Sequence, residues 1–374
     1  LEERRLLAAY VVDTLDDTVA VDGMVSLREA VVSANTNAAV NADVVAGDAD
    51  GDTIAFATAI AGGTINLTGG ELDIVDDVDI DGGVGTTRIT IDAGDASRIF
   101  DVDTSSAAGV QSDVTLSELI ITNGNAGVAV GGGINVSSST IDLDNVDITS
   151  STAADGGGLS IGAGVATIAG GTISGNTATG AASTNGGGGI HAVGSVIDLD
   201  GVSITANVAN GADGSGGGIF AGAGSSLAVD GGSISGNSAN RAGGGIEDVS
   251  GTGSTTILTG VALNDNMALG TAAAAGNGGG LHVTGAGNVS LTGGTVNGNT
   301  ADREGGGLWN GSGTMTINGV TINGNSASGD AADDGGGGIF NNGGRLTIGN
   351  TLAVDITNNT APGDNGSGGG IFNH

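Results

Sequence analysis

The stretch GGGGIHAVGSVIDLDGVSITANVA, residues 186–209, decides the fold. A glycine run leads into Ile190, and aliphatic and polar residues then alternate from Val196 to Asp200 and from Val202 to Thr205. Such alternation marks strands with one buried face. Ile204 is followed three places on by Asn207, and Ala209 stands two beyond that. Each segment is too short for a stable helix, and the glycines between them are turn formers.

The phrase repeats along the chain. Glycine runs lead into Ile134, Leu159, Ile190, Ile219, Ile246, Leu281, Leu308, Ile339 and Ile371. Their spacing, roughly 25 to 35 residues, is a solenoid period. The asparagine returns at Asn176, Asn207, Asn237, Asn266, Asn299, Asn325 and Asn359. Asparagine tolerates a left-handed backbone, and its amide can bond to the same amide one rung away. These residues are therefore expected to form a structural column at a turn. Leucine-rich, ankyrin and tetratricopeptide repeats need a helical segment that is missing here. The expectation is an all-β chain, a right-handed, single-stranded parallel β-helix with a short N-terminal capping helix. About a dozen rungs of about three strands each, at roughly 4.8 Å per rung, make a rod on the order of 60 Å long.

Composition agrees. The 374 residues include 78 glycines, 1 proline and 2 % aromatics, which excludes a broad globular core, while 38 % hydrophobic residues suffice for a narrow one. The formal charge is -33, and every basic residue is an arginine. Nucleic acid and anionic membranes are thereby excluded as partners. Carboxylates in such excess repel one another, so a divalent cation is expected to neutralise them, and calcium suits oxygen ligands. Cysteine is absent, so disulfides and thiol chemistry play no part. No apolar run of about 18 residues occurs, and membrane insertion is not expected. The first residue is Leu1, not methionine, as after removal of a leader or in a fragment of a longer protein.

One helix is expected from Ser26 to Asn35. Ser26 and Glu29 form a capping box there, and Leu27, Ala30, Val31 and Ala34 share a face. It reads as a cap over the first rung, whose exposed edge would otherwise invite association. Residues 1–60 are assigned to an N-terminal arm with this cap, and residues 61–374 to the solenoid. Ser26 to Ala30, Asn35, Asp52 to Ile54, Phe56 and Leu72 to Ile74 resemble the CSLREA-type N-terminal module of bacterial surface proteins, with Val25 in place of that family's cysteine. The later glycine-isoleucine and asparagine phrases are similar to repeats of polymorphic outer-membrane proteins, with glycine replacing the usual alanine before Ile. Leu1 to Leu7 resembles the LEPR-XLL signature of large secreted planctomycete proteins, with Glu3 in place of proline. These resemblances imply a parallel β-helix that is secreted, extracellular or on a bacterial cell surface. They imply no activity.

The column after each glycine-run aliphatic comprises Asn135, Ser160, His191, Phe220, Glu247, His282, Trp309, Phe340 and Phe372. If the aliphatics point inward, this column points outward. Phe220, Trp309, Phe340 and Phe372 then form a contact stripe on an acidic rod. The alternative is that long turns fold over these rings. Glu247 and His282 are expected to be rung neighbours beside Trp309, an acid/base pair to which no catalytic role is assigned. Asp48, Asp50 and Asp52 alternate around a glycine and are candidate calcium ligands, a solvated acidic turn being the other reading. The outward pairs Asp142 with Asp144 and Asp198 with Asp200 are expected to stack two rungs apart.

The leading functional expectation is an extracellular, non-enzymatic structural protein that assembles with copies of itself, end to end or laterally, into a filament or matrix. The apolar segment from Leu6 to Val12, with Leu6, Leu7 and Tyr10 as contacts, is the candidate strand donor to a last rung that ends in mid-phrase at Gly368 to His374. The alternative is an adhesin or passenger domain that binds an extracellular glycan or matrix through the aromatic stripe. The third is a calcium-dependent polysaccharide lyase or hydrolase acting through Glu247, against which the lack of lysine and the scarcity of aromatics weigh. No organic cofactor is expected.

Overall fold

Strands of three to five residues cannot bury an apolar face alone, so successive turns of the chain must stack. In the computed structural model, which describes residues 8–48, 51–103, 113–271 and 275–374, they do so as three long sheets and one short one. The first sheet has 12 strands, running from Ala8–Val12 and Asp52–Phe56 to Arg345–Ile348. The second runs from Thr64–Asn66 to Asp355–Thr357, and the third has 11 strands from Leu72–Ile74 to Ile371–Asn373. Pairing along each sheet is parallel, and the fold is the parallel β-helix that the repeat predicts. A fourth ladder of 7 two-residue strands, Thr152–Ala153 to Ser326–Ala327, follows the asparagine column, and its buried alanines after the first are those that stand two places after the asparagines.

The core is built of aliphatic columns, two on the first sheet, through Ile141 and Leu143, and one on the second. In the second sheet Ile148, Ile173, Ile204, Ile234, Leu263, Val296 and Ile322 lie in register and are buried. Each contributes about 1.5–3 kcal/mol.

The glycine run is backbone geometry rather than a flexible linker. Gly216 has φ +63°, a Cβ on Gly217 would lie 2.3 Å from the Ser238 carbonyl oxygen of the next rung, and one on Gly218 would lie 3.1 Å from Asn237 Nδ2. The three positions thus supply a left-handed residue, a close backbone approach and room for an amide.

That amide belongs to the expected asparagine column. Asn237 Nδ2 donates to the Ile204 carbonyl oxygen (3.0 Å) and to Asn266 Oδ1 (3.0 Å), while its Oδ1 accepts from Asn207 N (2.9 Å) and Asn207 Nδ2 (3.0 Å). The pattern runs from Asn176 through Asn325 to Asn359. One expectation is corrected: the column residues are not left-handed. The residue before each of them is, at Gly175, Ala206, Gly236, Asp265, Gly298, Gly324 and Asn358. Asparagine is selected for its amide, which spans two rungs, and not for its backbone tolerance.

The helix spans Leu27–Thr36 with the Ser26–Glu29 capping box formed, and Leu27, Ala30, Val31 and Ala34 are buried. Asn37, at φ 51°, ends it. Arg28 ties it to the first rung by donating to Asp17 Oδ1 (2.8 Å) and to the Gly70 carbonyl oxygen (2.6 Å). No helix among the described residues is long and apolar enough to cross a membrane.

Strand Ala8–Val12 is itself the outermost strand of the first sheet, with Tyr10 paired to Ile54. Tyr10 faces inward and is buried, and its strand pairs within its own chain. Leu6 and Leu7 lie outside the described residues.

The outward positions segregate charge. In the first sheet Asp142 and Asp144 stand two rungs from Asp198 and Asp200, with Thr167 and Ala169 between them, and Asp79, Asp81 and Asp230 share the same face. In the second sheet the six strands from Thr172–Ser174 to Thr321–Asn323 present only serine, threonine, asparagine and Ala262 outward.

Candidate functional site

The outer column of the third sheet holds most of the chemistry of the molecule. It is longer than the repeat suggests: Asp73 and Asp101 precede Asn135, and the series continues in register to Phe372. Its rings stack along the rod. Centroids lie 5.0 Å apart for His191 and Phe220, 4.3 Å for His282 and Trp309, 6.2 Å for Trp309 and Phe340, and 5.2 Å for Phe340 and Phe372.

The expected exposed stripe is not there. Phe220 is 2 %, Phe340 1 % and Trp309 7 % exposed, and Phe372 is half-buried. The loops before the glycine runs stack as single parallel bridges, Gly186 on Ser215, Ala242, Asn277, Glu304, Gly335 and Ser367 in turn. Their side chains reach over the column; Trp309 Nε1, for instance, donates to Glu304 Oε2 (2.9 Å). With His282 on one face and Phe340 on the other, Trp309 has no free face for a ligand.

Between the rungs of Phe220 and Trp309 the column carries the polar pair Glu247 and His282. Glu247 is fully buried: Oε2 lies 2.8 Å from His282 Nδ1, and Oε1 accepts from Arg241 Nη2 (3.0 Å) and Thr284 Oγ1 (3.1 Å). Burial pushes the Glu247 carboxyl up, but His282, Arg241 and Thr284 together outweigh it and hold the group below the ordinary carboxylate value. The contact of Glu247 Oε2 with His282 Nδ1 fixes the orientation of the ring. Arg241 Nε also donates to Ser215 Oγ (2.8 Å).

Next to Glu247, Asp248 faces the core, where neighbouring rungs carry Ala221 and Val283. Its Oδ1 accepts from Ser250 N (2.9 Å), its Oδ2 has no hydrogen-bond partner, and burial raises its pKa against the Ser250 hydrogen bonds.

A cleft of about 380 Å³ opens above the Glu247–His282 pair, lined by Ser183, Asp213, Arg241, Asn277, His282, Thr284 and Trp309. It exists because the loop from Asn237 to Ile246 is shorter than those of the rungs on either side. Sequence reasoning found Glu247, His282 and Trp309 but missed Arg241, Thr284 and Asn277, which loops or the adjoining strand end bring to the cleft.

Of the candidate calcium residues, Asp48 and Asp52 lie side by side. Asp52 faces inward and is buried; its Oδ1 accepts from Asp48 N (3.0 Å), its Oδ2 has no hydrogen-bond partner, and burial raises its pKa. Asp50 lies outside the described residues. Burial, then the Asp52 carboxylate, pushes the Tyr10 phenol up to about 12. Among the described residues the acidic oxygens that do gather, within 4.8 Å, are those of Glu71, Asp73 and Asp101. Arg98 Nη1 already bridges two of them, 3.1 Å from Glu71 Oε2 and 2.9 Å from Asp101 Oδ2.

The fold defines a parallel β-solenoid. No family model matches the chain, and neither a curated protein nor a solved structure is significantly similar to it.

Proposed function

We propose that this chain is an extracellular structural protein of a bacterial surface or matrix that associates side by side with copies of itself. The observation that carries this is the segregation of charge. In a molecule of formal charge -33, two copies approach only where carboxylates are absent, and six consecutive strands of the second sheet offer such a face. Glycines flank most of it, at Gly201, Gly231 and Gly293 before the strands and Gly175, Gly236 and Gly298 after them, and the carboxylate at its edge is that of Asp265, after Asn264. Its side chains are fixed, with Thr295 Oγ1 donating to Asn264 Oδ1 (3.1 Å) and Ser203 Oγ 3.3 Å from Ser233 Oγ. The resemblance to bacterial surface modules supports the same location.

The face measures roughly 25 Å by 10 Å from strand spacing and length. At about 250 Å² a side it is well below a standard interface of about 800 Å², so each contact is weak and order comes from many contacts. Calcium on the first-sheet carboxylates lowers the repulsion that opposes assembly.

Negative-stain electron microscopy and light scattering, with and without calcium, test this. Bundled rods are expected in calcium, and single rods for the variant Thr205→Asp/Ser235→Asp/Asn297→Asp. A chain that remains single in every condition, or a triple variant that bundles like the parent, refutes the proposal.

A further inference from the structure

We infer that the cleft over Arg241 and His282 binds a single uncharged sugar unit. This is independent of the assembly reading. The first argument is the break in the repeat. At this column position the rungs on either side of the pair use Phe220 and Trp309, so folding does not require a buried carboxylate. A buried ion is strongly disfavoured unless fully matched, and here Glu247 is matched by three side chains drawn from the next rung and a loop. Its effect is to fix the His282 ring in one orientation at the floor of a cleft, where an apolar residue would have made a simpler rung.

The second argument is an unsatisfied group. Asn277 lines the cleft, its Nδ2 donates to Glu304 Oε2 (3.3 Å), and its buried Oδ1 has no hydrogen-bond donor. Buried polar atoms are nearly always paired, and this one is not.

The lining then selects the ligand. Asp213 and the overall acidity disfavour an anion, and Arg241 disfavours a cation. Trp309 offers an edge and no face, which disfavours an aromatic ring. What remains is a neutral molecule rich in hydroxyls: Asp213 accepts from O–H groups, and Arg241, Asn277 and Ser183 donate to them. The cleft, about 380 Å³, lies near the small end of ligand sites and suits one sugar ring with its substituents.

The test is saturation-transfer difference NMR on the intact chain with glucose, galactose, mannose and N-acetylglucosamine, with glucuronate as the charged counterpart. At least one neutral sugar is expected to receive saturation, and Asp213→Ala/Asn277→Ala is expected to weaken its binding tenfold or more without changing the melting temperature. Arg241→Lys, which keeps the charge but loses the fork, is expected to weaken it less. Absence of transfer to all four neutral sugars overturns the inference. So does glucuronate binding more tightly than the neutral sugars, or unchanged affinity in the double variant.

Discussion

Asn237→Ala tests the column that holds the rungs in register. The side chain takes part in four hydrogen bonds, two donated and two accepted, all buried. At a net contribution of about 1 kcal/mol each, their loss destabilises by about 4 kcal/mol, because the partners on either rung are left without water. Asn359 provides the internal control. It makes the same kind of bonds to Asn325 and the Ile322 carbonyl but is only half-buried, so water replaces what is removed. Asn359→Ala is therefore expected to cost about 1 kcal/mol. In a solenoid each turn feels mainly its neighbours, so the damage should be local. Urea unfolding gives the totals, and hydrogen exchange gives the location: amides of strands Ser203–Thr205, Ser233–Ser235 and Ala262–Asn264 should lose protection first in Asn237→Ala. Equal costs for the two variants, or a cost under about 1 kcal/mol at Asn237, would refute the account of the ladder.

Three other outcomes follow from the same geometry. Gly217→Ala places a Cβ 2.3 Å from the Ser238 carbonyl oxygen, and a loss of several kcal/mol with exchange confined to the flanking rungs is expected, whereas the same change at Gly236, with nothing within 4 Å, meets only backbone strain of about 1 kcal/mol. Asp248→Asn is expected to stabilise the chain near neutral pH by about 1–3 kcal/mol, measured by urea unfolding, because a buried oxygen without a partner no longer carries charge. The sign in pH is set by its raised folded pKa: the advantage is absent below about pH 3.9, where the unfolded aspartate is protonated, and grows as pH rises from there. Glu247 acts oppositely, since its folded pKa is lowered. Its contribution is present above about pH 4.3 and is lost as pH falls through the folded value, so Glu247→Gln should flatten the acid limb of the stability profile.

The fold was legible because its determinants are local and periodic. Alternation at Val196 to Asp200, the glycines before Ile219 and the amide at Asn237 each recur once per turn, and stacking places like on like. The fate of the outer column was not legible for the same reason in reverse. Whether Phe220 and Trp309 meet solvent depends on loops of unequal length with no shared phrase, and only their stacking through Ser215, Ala242 and Asn277 covers the rings. Asp73 and Asp101 were missed because Glu71 separates Gly69-Gly70 from Leu72 and no glycine precedes Phe100 closely. Arg241 was missed because its partner Glu247 is close in sequence but lies at the end of a turn that reverses over the sheet.

The polar pair at Glu247 and His282 is the strongest sign that this solenoid does more than hold its shape, and the contrast between partial and complete removal can establish it. Glu247→Ala leaves Arg241 and His282 facing a cavity without their carboxylate, and a loss of about 3–5 kcal/mol is expected. Replacing the whole group as Arg241→Met/Glu247→Phe/His282→Phe extends the aromatic column that Phe220, Trp309 and Phe340 already form, and apolar substitution of a buried ionic cluster is commonly neutral or stabilising by about 1–4 kcal/mol. If the triple variant is at least as stable as the parent, the charges are not there for folding, and their retention needs a ligand. If it unfolds as readily as Glu247→Ala, the cluster is structural after all, and the break in the repeat no longer argues for a site. Thermal unfolding of the three proteins side by side separates the two cases.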